Sequence, residues 1–182
     1  MVADVMRPAA ACACMWDGML LADVDAVLAA ADASSAAPSG ASAIPAAADG
    51  GGMPDDAGGL GAWFPVLRGR DEATIVGCVS RRGVVAARHR ASSMAADPAT
   101  TRVTFTGGGS ARATHGATLN LADAVEPSSL TVVPEAPLSQ VAASMHALRA
   151  DHCVVSRGGS LVGVLSKRHV VAFARGQWPP PA

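Results

Sequence analysis

Three polar residues near the end of the chain have the types and the spacing that favour anion binding. Ser166, Lys167 and Arg168 follow an apolar run and lie where a predicted helix begins. The first backbone N–H groups of a helix lack partners within it, and the helix dipole favours negative charge at that end. Arg168 adds positive charge. If the chain binds a phosphorylated ligand, the start of this helix is where its phosphate would be held.

Other chemistries lack the residue patterns that they need. Cys12 and Cys14 are two soft ligands, but no second Cys or His pair lies near them to complete a tetrahedral metal site. The run 107–109 is three glycines without the Gly-Lys-Ser/Thr ending of a phosphate loop. No histidines have His-x-x-x-His spacing, and no Gly-x-Ser-x-Gly nucleophile elbow occurs. We therefore predict no metal site, no catalytic residues and no enzymatic activity.

Composition and charge exclude two classes of protein. Among 182 residues, 14 are Lys or Arg and 15 are Asp or Glu, and this net charge of −1 provides no positive field for nucleic acid. Half of the residues are apolar, but no run approaches the roughly 18 apolar residues that span a bilayer. The opening segment contains Asp4, Arg7 and Asp17, unlike a signal peptide. The four cysteines form no disulfide framework. We therefore expect a soluble chain in a reducing, cytosolic setting, with no nucleic acid as partner.

Two stretches are too poor in large apolar residues to form a core. Residues 31–61 are almost entirely Ala, Ser, Gly, Pro and Asp, and residues 92–118 are rich in Ala, Thr and Gly. Neither has an apolar period, so neither would bury enough surface to offset its ordering entropy. We predict a first domain at 1–90 with an insertion at about 31–61, a linker at 91–118, a second domain at 119–176 and a disordered tail at 177–182.

The remainder of the chain contains an internal duplication. Residues 75–86, IVGCVSRRGVVA, match residues 161–172, LVGVLSKRHVVA, position for position. Upstream, Phe64-Pro65-Val66-Leu67 is similar to His152-Cys153-Val154-Val155. Further upstream, residues 4–8 are similar to residues 123–127. Three matches in the same order indicate two copies of one structural unit.

The second copy begins with a predicted strand and helix. Thr131-Val132-Val133 is a β-branched run that Pro134 ends, and Pro137 suits the first turn of a helix. The apolar residues that follow recur at helical spacing and would form one buried face. They are Leu138, Val141, Ala142, Met145 and Leu148.

A hairpin and a last helix complete this copy. Apolar strands at 152–156 and 160–165 are joined through Arg157-Gly158-Gly159, a hairpin signal. Ser166 then caps a helix that runs to about residue 174. The unit is β-α-β-β-α, and the first copy repeats it with a weaker helix at 22–30 and a longer hairpin loop at 68–73. The fold class predicted is α+β.

These segments resemble CBS domains, which occur as tandem pairs with pseudo-twofold symmetry (Bateman modules). The family hallmark is an apolar strand ending in Gly, then x-x-Ser/Thr-x-x-Asp, and here it runs from Gly77 to Gly83 and from Gly163 to His169. The closer resemblance is to the cytoplasmic C-terminal region of eukaryotic CLC chloride channels and chloride–proton antiporters. The segments that carry it are residues 4–8, 22–28, 64–66, 103–106, 119–121, 129–138 and 163–170.

The resemblance implies a non-catalytic regulatory module that modulates gating or transport. Its partner would be the transmembrane domain of a CLC-type transporter, which this chain does not contain, at the cytosolic face of a membrane. A homodimer formed through the CBS modules is also implied. The alternative is a free-standing CBS-domain protein that senses adenine nucleotides and regulates another enzyme. No cofactor is required, and ATP, ADP or AMP would be a regulatory ligand.

The resemblance also implies where a nucleotide would bind. Backbone groups at Gly61 and Ala62, before Phe64 and Pro65, would hold the adenine edge. Ser166, Arg168 and His169 at the start of the last helix would face the rest of the ligand. Trp63 stands where relatives usually carry Gly, and it would either stack on a base or fill the cleft.

The chain departs from the family at the Asp that normally grips the ribose hydroxyls. That residue is Gly83 in the first copy and His169 in the second. Glycine offers no side-chain contact, and a neutral His accepts only one hydrogen bond. We therefore expect weaker nucleotide binding than in relatives, and a purely structural CBS pair is the other interpretation.

Overall fold

The computed structural model describes residues 1–36, 63–93, 96–106, 117–126 and 130–176. The first half contains β1 (Arg7–Pro8), β2 (Met15–Trp16), α1 (Leu21–Ala36), β3 (Trp63–Leu67), β4 (Ile75–Ser80) and α2 (Arg81–Ser93). A connecting segment contributes β5 (Arg102–Thr104) and β6 (Thr118–Asn120). The second half contains β7 (Val125–Glu126), β8 (Thr131–Val132), α3 (Leu138–Ala147), β9 (His152–Arg157), β10 (Ser160–Ser166) and α4 (Lys167–Ala174). Gly61, Ala62, the predicted tail and most of the predicted insertion lie outside the described residues.

Two four-stranded sheets have the same plan, in the orders β2-β3-β4-β7 and β1-β10-β9-β8. Each has a central antiparallel hairpin, with a parallel strand on one side and an antiparallel edge strand on the other. The edge strand comes from the other half of the chain, since Arg7 of β1 pairs with Val164 and Glu126 of β7 pairs with Cys78. Arg7 and Glu126 are equivalent in the duplication. The predicted match between residues 4–8 and 123–127 is therefore confirmed. Its two segments contribute β1 and β7, and each of these strands forms the edge of the other half's sheet.

The two halves meet about a pseudo-twofold axis between β4 and β10. Thr74 and Ser160, equivalent residues of the two copies, form an antiparallel bridge with each other. The N–H of Ile75 donates to the carbonyl oxygen of Gly159 at 3.2 Å, and the N–H of Leu161 donates to that of Ala73 at 2.8 Å. Because the second bond is the symmetry copy of the first, the axis passes through this bridge. The prediction of an α+β fold with two β-α-β-β-α copies is confirmed.

One part of the predicted correspondence is wrong by one residue. Trp63 pairs with Ser80 in the first sheet, and His152 pairs with Ser166 in the second. Trp63 is therefore equivalent to His152, and Phe64 to Cys153. In both strands a half-buried first residue precedes three buried ones. Apolar character alone aligns such runs loosely, whereas ladder pairing fixes their register.

Three groups of buried side chains support the sheets. The largest packs α1 and α2 on the first sheet around Met15, Phe64 and Val84. A smaller one supports the second sheet, and it includes Val2 and Val5 from the start of the chain. The third lies between the halves and consists of Cys78, Val154, Leu161 and Val164. The division of the chain into domains at residues 90 and 119 stays a prediction, but the first residues of the chain pack on the second half.

Two stretches predicted to be unable to fold are partly ordered. The first helix runs to Ala36 instead of ending near residue 30, because its Ala-rich sequence has high helix propensity. Within 92–118, the side chains of Val103 and Phe105 are buried against the first core. Asp17 holds this segment, since its carboxylate accepts from the N–H of Phe105 at 2.6 Å and from Oγ1 of Thr106 at 3.2 Å. Contacts with residues far away in the sequence thus order this segment, although its own composition is poor in large apolar residues.

The second half follows the predicted elements closely. The hairpin turn has Gly158 and Gly159 at φ +59° and +84°, conformations that favour glycine. Pro137 is the N-cap of α3, and Val141 and Met145 are buried on its inner face. Leu148 is 55% exposed because α3 ends at Ala147, so its placement in the apolar face was wrong. No helix within the described ranges is both long and apolar enough to cross a bilayer.

Candidate functional site

Ser166 and His169 form a reciprocal cap at the start of α4. The N–H of His169 donates to Oγ of Ser166 at 3.3 Å, and the N–H of Ser166 donates to Nδ1 of His169 at 3.4 Å. The predicted cap is thereby confirmed, and His169 takes the place of the Glu or Gln that usually completes such a box. The N–H of Lys167 donates to the carbonyl oxygen of Asp151 at 2.8 Å. Since the N–H groups of Lys167 and His169 are already bonded, side-chain charge has to supply most of the attraction for an anion.

Cationic residues lie on and beside this helix start. Lys167 and Arg168 are exposed on its first turn, and Arg7 lies on β1, the strand that pairs with β10. Burial lowers the pKa of His169, and the positive charges of Arg7 and Arg168 lower it further. His169 therefore lies in a region of positive potential. Arg7 was not among the predicted site residues, because only the strand exchange brings residue 7 beside residue 169.

The equivalent position in the first half has a different electrostatic character. Oγ of Ser80 accepts from the N–H of Gly83 at 3.1 Å, so the turn is the same. Arg81, however, pairs with Asp32 of α1 at 2.8 Å, and Glu126 stands on β7 where Arg7 stands on β1. One cation is neutralised and another is replaced by an acid. Of the two helix starts, that of α4 is the better suited to a phosphate.

The two predicted site residues on β3, Phe64 and Pro65, are both buried. Phe64 is 0% exposed, with its side chain in the first core, and Pro65 is buried beside it. Their backbones pair with Val79 and Cys78 of β4. The side chain of Phe64 is thus unavailable to a ligand, because strand alternation and the bulk of the ring place it in the core. Ser166, Arg168 and His169 are brought together, whereas Gly61 and Ala62 lie outside the described residues.

Trp63 is already engaged by a residue of the second half. Its ring centroid lies 4.6 Å from that of His152, with 33° between the ring planes. His152 pairs with Ser166, the N-cap of α4, so the contact lies directly beside that cap. Of the two roles predicted for Trp63, filling the cleft between the halves agrees with this geometry.

Three of the four cysteines pack where the two halves meet. Cys12, Cys14 and Cys78 lie in the group between the halves, and all four thiols are free. Burial raises the pKa of Cys14 to about 11 and that of Cys78 to about 11. A thiol with so high a pKa is neutral at physiological pH. Within the described part of the chain, no three His, Cys, Asp or Glu residues are arranged to hold a metal ion.

One segment of the chain matches the model of a known family. Residues 121–176 match the CBS domain family. They comprise the second copy, with both strands of its hairpin and the capped helix α4. No curated protein matches the chain.

Comparison with solved structures covers nearly the whole chain. The crystal structure of CBSX2 in complex with AMP is 17% identical, with a TM-score of 0.55 over 96% of each chain. A CBS domain protein from Shewanella oneidensis MR-1 is 14% identical, with a TM-score of 0.55 over 98% of this chain and 99% of that one. The CBS domain of a bacterial CNNM/CorC family Mg²⁺ transporter in complex with ATP is 13% identical, with a TM-score of 0.54 over 96% and 87%. The chain therefore has the α+β fold of CBS-domain structures, and its residues 121–176 match that family in sequence.

Proposed function

We propose that the chain is a non-catalytic regulatory CBS module that binds an adenine nucleotide through its phosphates at the start of α4. The observation that carries the proposal is that Arg7 and Arg168 both act on His169, at a helix start whose first turn also carries the exposed Lys167. Guanidinium and ammonium groups are the cations that proteins use to hold phosphate. The structures with AMP and with ATP, in CBSX2 and in the Mg²⁺ transporter domain, support the choice of ligand class.

The phosphates supply most of the affinity in this proposal. His169 stands at the motif position of Asp, and its Nδ1 already accepts the N–H of Ser166. Gly83 offers no side chain at the equivalent position, where a Cβ would lie 3.2 Å from Oγ of Ser80. The ribose hydroxyls therefore gain little, and ligands with more phosphates gain more. Affinity should rise from AMP to ADP to ATP.

The module acts by favouring one arrangement of its two halves. Arg7 reaches α4 from the first half, whereas Lys167 and Arg168 belong to the second. An anion held by both sets strengthens the attachment of the exchanged strand β1 to the second sheet, and through that strand the link between the two halves. A ligand shifts such an equilibrium by the difference between its affinities for the two arrangements. A transmembrane domain or an enzyme that binds the module more tightly in one arrangement than in the other would respond to that shift.

The regulated partner is the transmembrane domain of a CLC-type chloride channel or antiporter in the first form of this proposal. The resemblance of residues 4–8, 22–28 and 129–138 to that family's C-terminal region supports it. A homodimer formed through the CBS modules belongs to the same form. In the second form, a free-standing CBS protein regulates another enzyme, and the 96% coverage of CBSX2 is equally consistent with it. Apolar helices encoded upstream of Met1 would favour the transporter, and a start codon preceded by non-coding sequence would favour the sensor.

Isothermal titration calorimetry with ATP, ADP and AMP tests the ligand. We expect binding to ATP that weakens by roughly tenfold when Arg7→Gln or Arg168→Gln removes one charged partner. Arg82→Gln is the matched control, since Arg82 is exposed at the same position of the other helix start. No heat at millimolar nucleotide would refute the proposal, as would equal losses in all three variants.

A further inference from the structure

Trp63 and His152 form an aromatic contact across the pseudo-twofold axis. They occupy equivalent positions on β3 and β9, and their ring centroids are 4.6 Å apart. Trp63 also packs on the group between the halves, beside Cys78 and Val154. This ring pair therefore belongs to the surface along which the halves adhere. Any change in the charge of His152 acts directly on that surface.

The surroundings of His152 favour its neutral form. Its Nδ1 is buried and has no hydrogen-bond partner among the residues that the structure describes. The charged groups that act on the ring are Asp151, in the preceding turn, and Glu126, on β7. Both favour protonation, but burial outweighs them and lowers the pKa of His152. The other strands beside it contribute the uncharged residues Trp63 and Ser166.

We propose that the Trp63–His152 ring pair is a pH-sensitive latch between the two halves, closed while His152 is neutral and loosened when it is protonated. An imidazolium in this contact would be a charge placed against apolar side chains without a hydrogen-bond acceptor at Nδ1. Loosening exposes His152 to water and lets it hold the proton at its ordinary affinity. The latch requires no nucleotide and stands independently of the proposed function.

The direction of the pH effect follows from linkage. An exposed His has a pKa of about 6.5, and in the closed arrangement the value lies lower. The open arrangement therefore binds more protons between these two values. Closure is at full strength above about pH 6.5 and weakens as the pH falls through this window. Each unit of separation between the two pKa values corresponds to about a tenfold shift toward the open arrangement.

Hydrogen exchange at the axis measures the latch in the full chain. The amides of Ile75 and Leu161 bond across the axis, whereas those of Arg68 and Val154 bond to Thr74 and Leu130 within one half. Between about pH 8 and about pH 5, we expect protection factors of the first pair to fall several-fold relative to the second. His152→Phe keeps a ring on Trp63 and should abolish the difference. His89→Asn, at an exposed histidine of α2, is the control and should retain it.

A second measurement keeps the proposal testable if the Phe variant does not fold. The imidazole protons of His152 in the unmodified chain should titrate by NMR with a midpoint below about 6.5. A midpoint at or above that value would show that cation–π attraction to Trp63 outweighs burial, and the proposal would be wrong. It would also be wrong if both amide pairs responded equally to acid, or if the response survived in His152→Phe.

Discussion

Gly77 and Gly163 hold equivalent positions in the two sheets, and each lies beneath the edge strand contributed by the other half. A Cβ on Gly163 would lie 2.5 Å from the carbonyl oxygen of Arg7 and 3.0 Å from Sδ of Met6. A Cβ on Gly77 would lie 2.7 Å from Cγ1 of Val125 and 2.8 Å from the carbonyl oxygen of Glu126. The absence of a side chain at both positions is therefore what allows the exchange of strands.

Replacing either glycine by alanine should loosen an exchanged strand. Because the nearest atom to the new Cβ at residue 163 is backbone, the strand itself has to move. We expect Gly163→Ala to lower the free energy of unfolding by about 3 kcal/mol, the upper end of overpacking costs. Urea unfolding followed by circular dichroism measures the change.

Gly69→Ala is the matched control for this substitution. Its Cβ would meet only Glu72, at 3.8 Å, which is ordinary contact. We expect a change within about 0.5 kcal/mol. Equal unfolding midpoints for Gly163→Ala and Gly69→Ala would contradict the account of the exchanged strand.

Phe105 should matter for stability although it lies in a stretch with little local apolar character. It is 2% exposed, so Phe105→Ala should cost about 3–5 kcal/mol by leaving a cavity. Phe173 of α4 is 43% exposed, and Phe173→Ala should cost less than about 1 kcal/mol. Thermal unfolding of the two variants compares the same chemical change in two environments. Similar losses would show that residues 96–106 are not docked as described.

Restoring the family's acid at residue 169 should improve nucleotide binding. His169→Asp would place a carboxylate at the third position of α4, where it still accepts the N–H of Ser166 and could also accept ribose hydroxyls. A charged hydrogen bond contributes about 1.5–3 kcal/mol, so AMP should bind about tenfold tighter. Calorimetry with AMP and with 2′,3′-dideoxy-AMP separates the causes. A gain that is equal for both ligands would show that the ribose is not involved.

Acid should weaken the cap of α4. His169 accepts the N–H of Ser166 only when Nδ1 is unprotonated, and burial, Arg7 and Arg168 lower its pKa below the ordinary value of about 6.5. The unfolded chain therefore binds more protons just below that pH, and this part of the stability is lost as the pH falls through the window. The urea midpoint should decrease from about pH 7 to about pH 5, and His169→Gln should decrease less. If the urea midpoint of His169→Gln fell as much as that of the unmodified chain, the loss of stability would not come from His169.

The cysteines should react in the order of their exposure. Cys12 and Cys14 are half-buried, whereas Cys78 and Cys153 are buried. Burial raises the pKa of Cys153 to about 12, so almost no thiolate forms near neutral pH. In native protein treated with iodoacetamide, mass spectrometry should show Cys12 and Cys14 modified first. Rapid modification of Cys153 without denaturant would indicate that the second core opens readily.

Local signals in the sequence were sufficient to predict the second half. Ser166 as a cap, the turn at 157–159 and the ends of α4 all follow from short-range chemistry, and the structure confirms them. The duplication was visible because residues 75–86 and 161–172 carry the same polar and apolar order. Repetition of a pattern is a property of sequence alone, so it needed no knowledge of contacts.

What depends on long-range contact was missed. Arg7 lies 162 positions before His169 in the chain, and only β1 pairing with β10 brings them together. Phe105 is buried in the first core and its N–H donates to Asp17, a contact across 88 positions that no local period reveals. The resemblance assigned Phe64 to the nucleotide site, which stays a prediction, but its side chain lies in the first core. The one-residue shift between β3 and β9 arose because both strands are apolar on consecutive positions.

Because β1 and β7 each complete the sheet of the other half, neither copy can fold completely alone. A fragment that ended before residue 117 would lack β7, so the outer edge of β4 would be unpaired. It would also contain β1 without its partner strand β10. Exposed rims of this kind recruit other chains and promote aggregation. Two fragments produced separately should therefore aggregate when alone and should assemble into the complete fold when mixed. Natural shortening of the polypeptide, by splicing or by proteolysis within the connecting segment, would thus disable both copies at once.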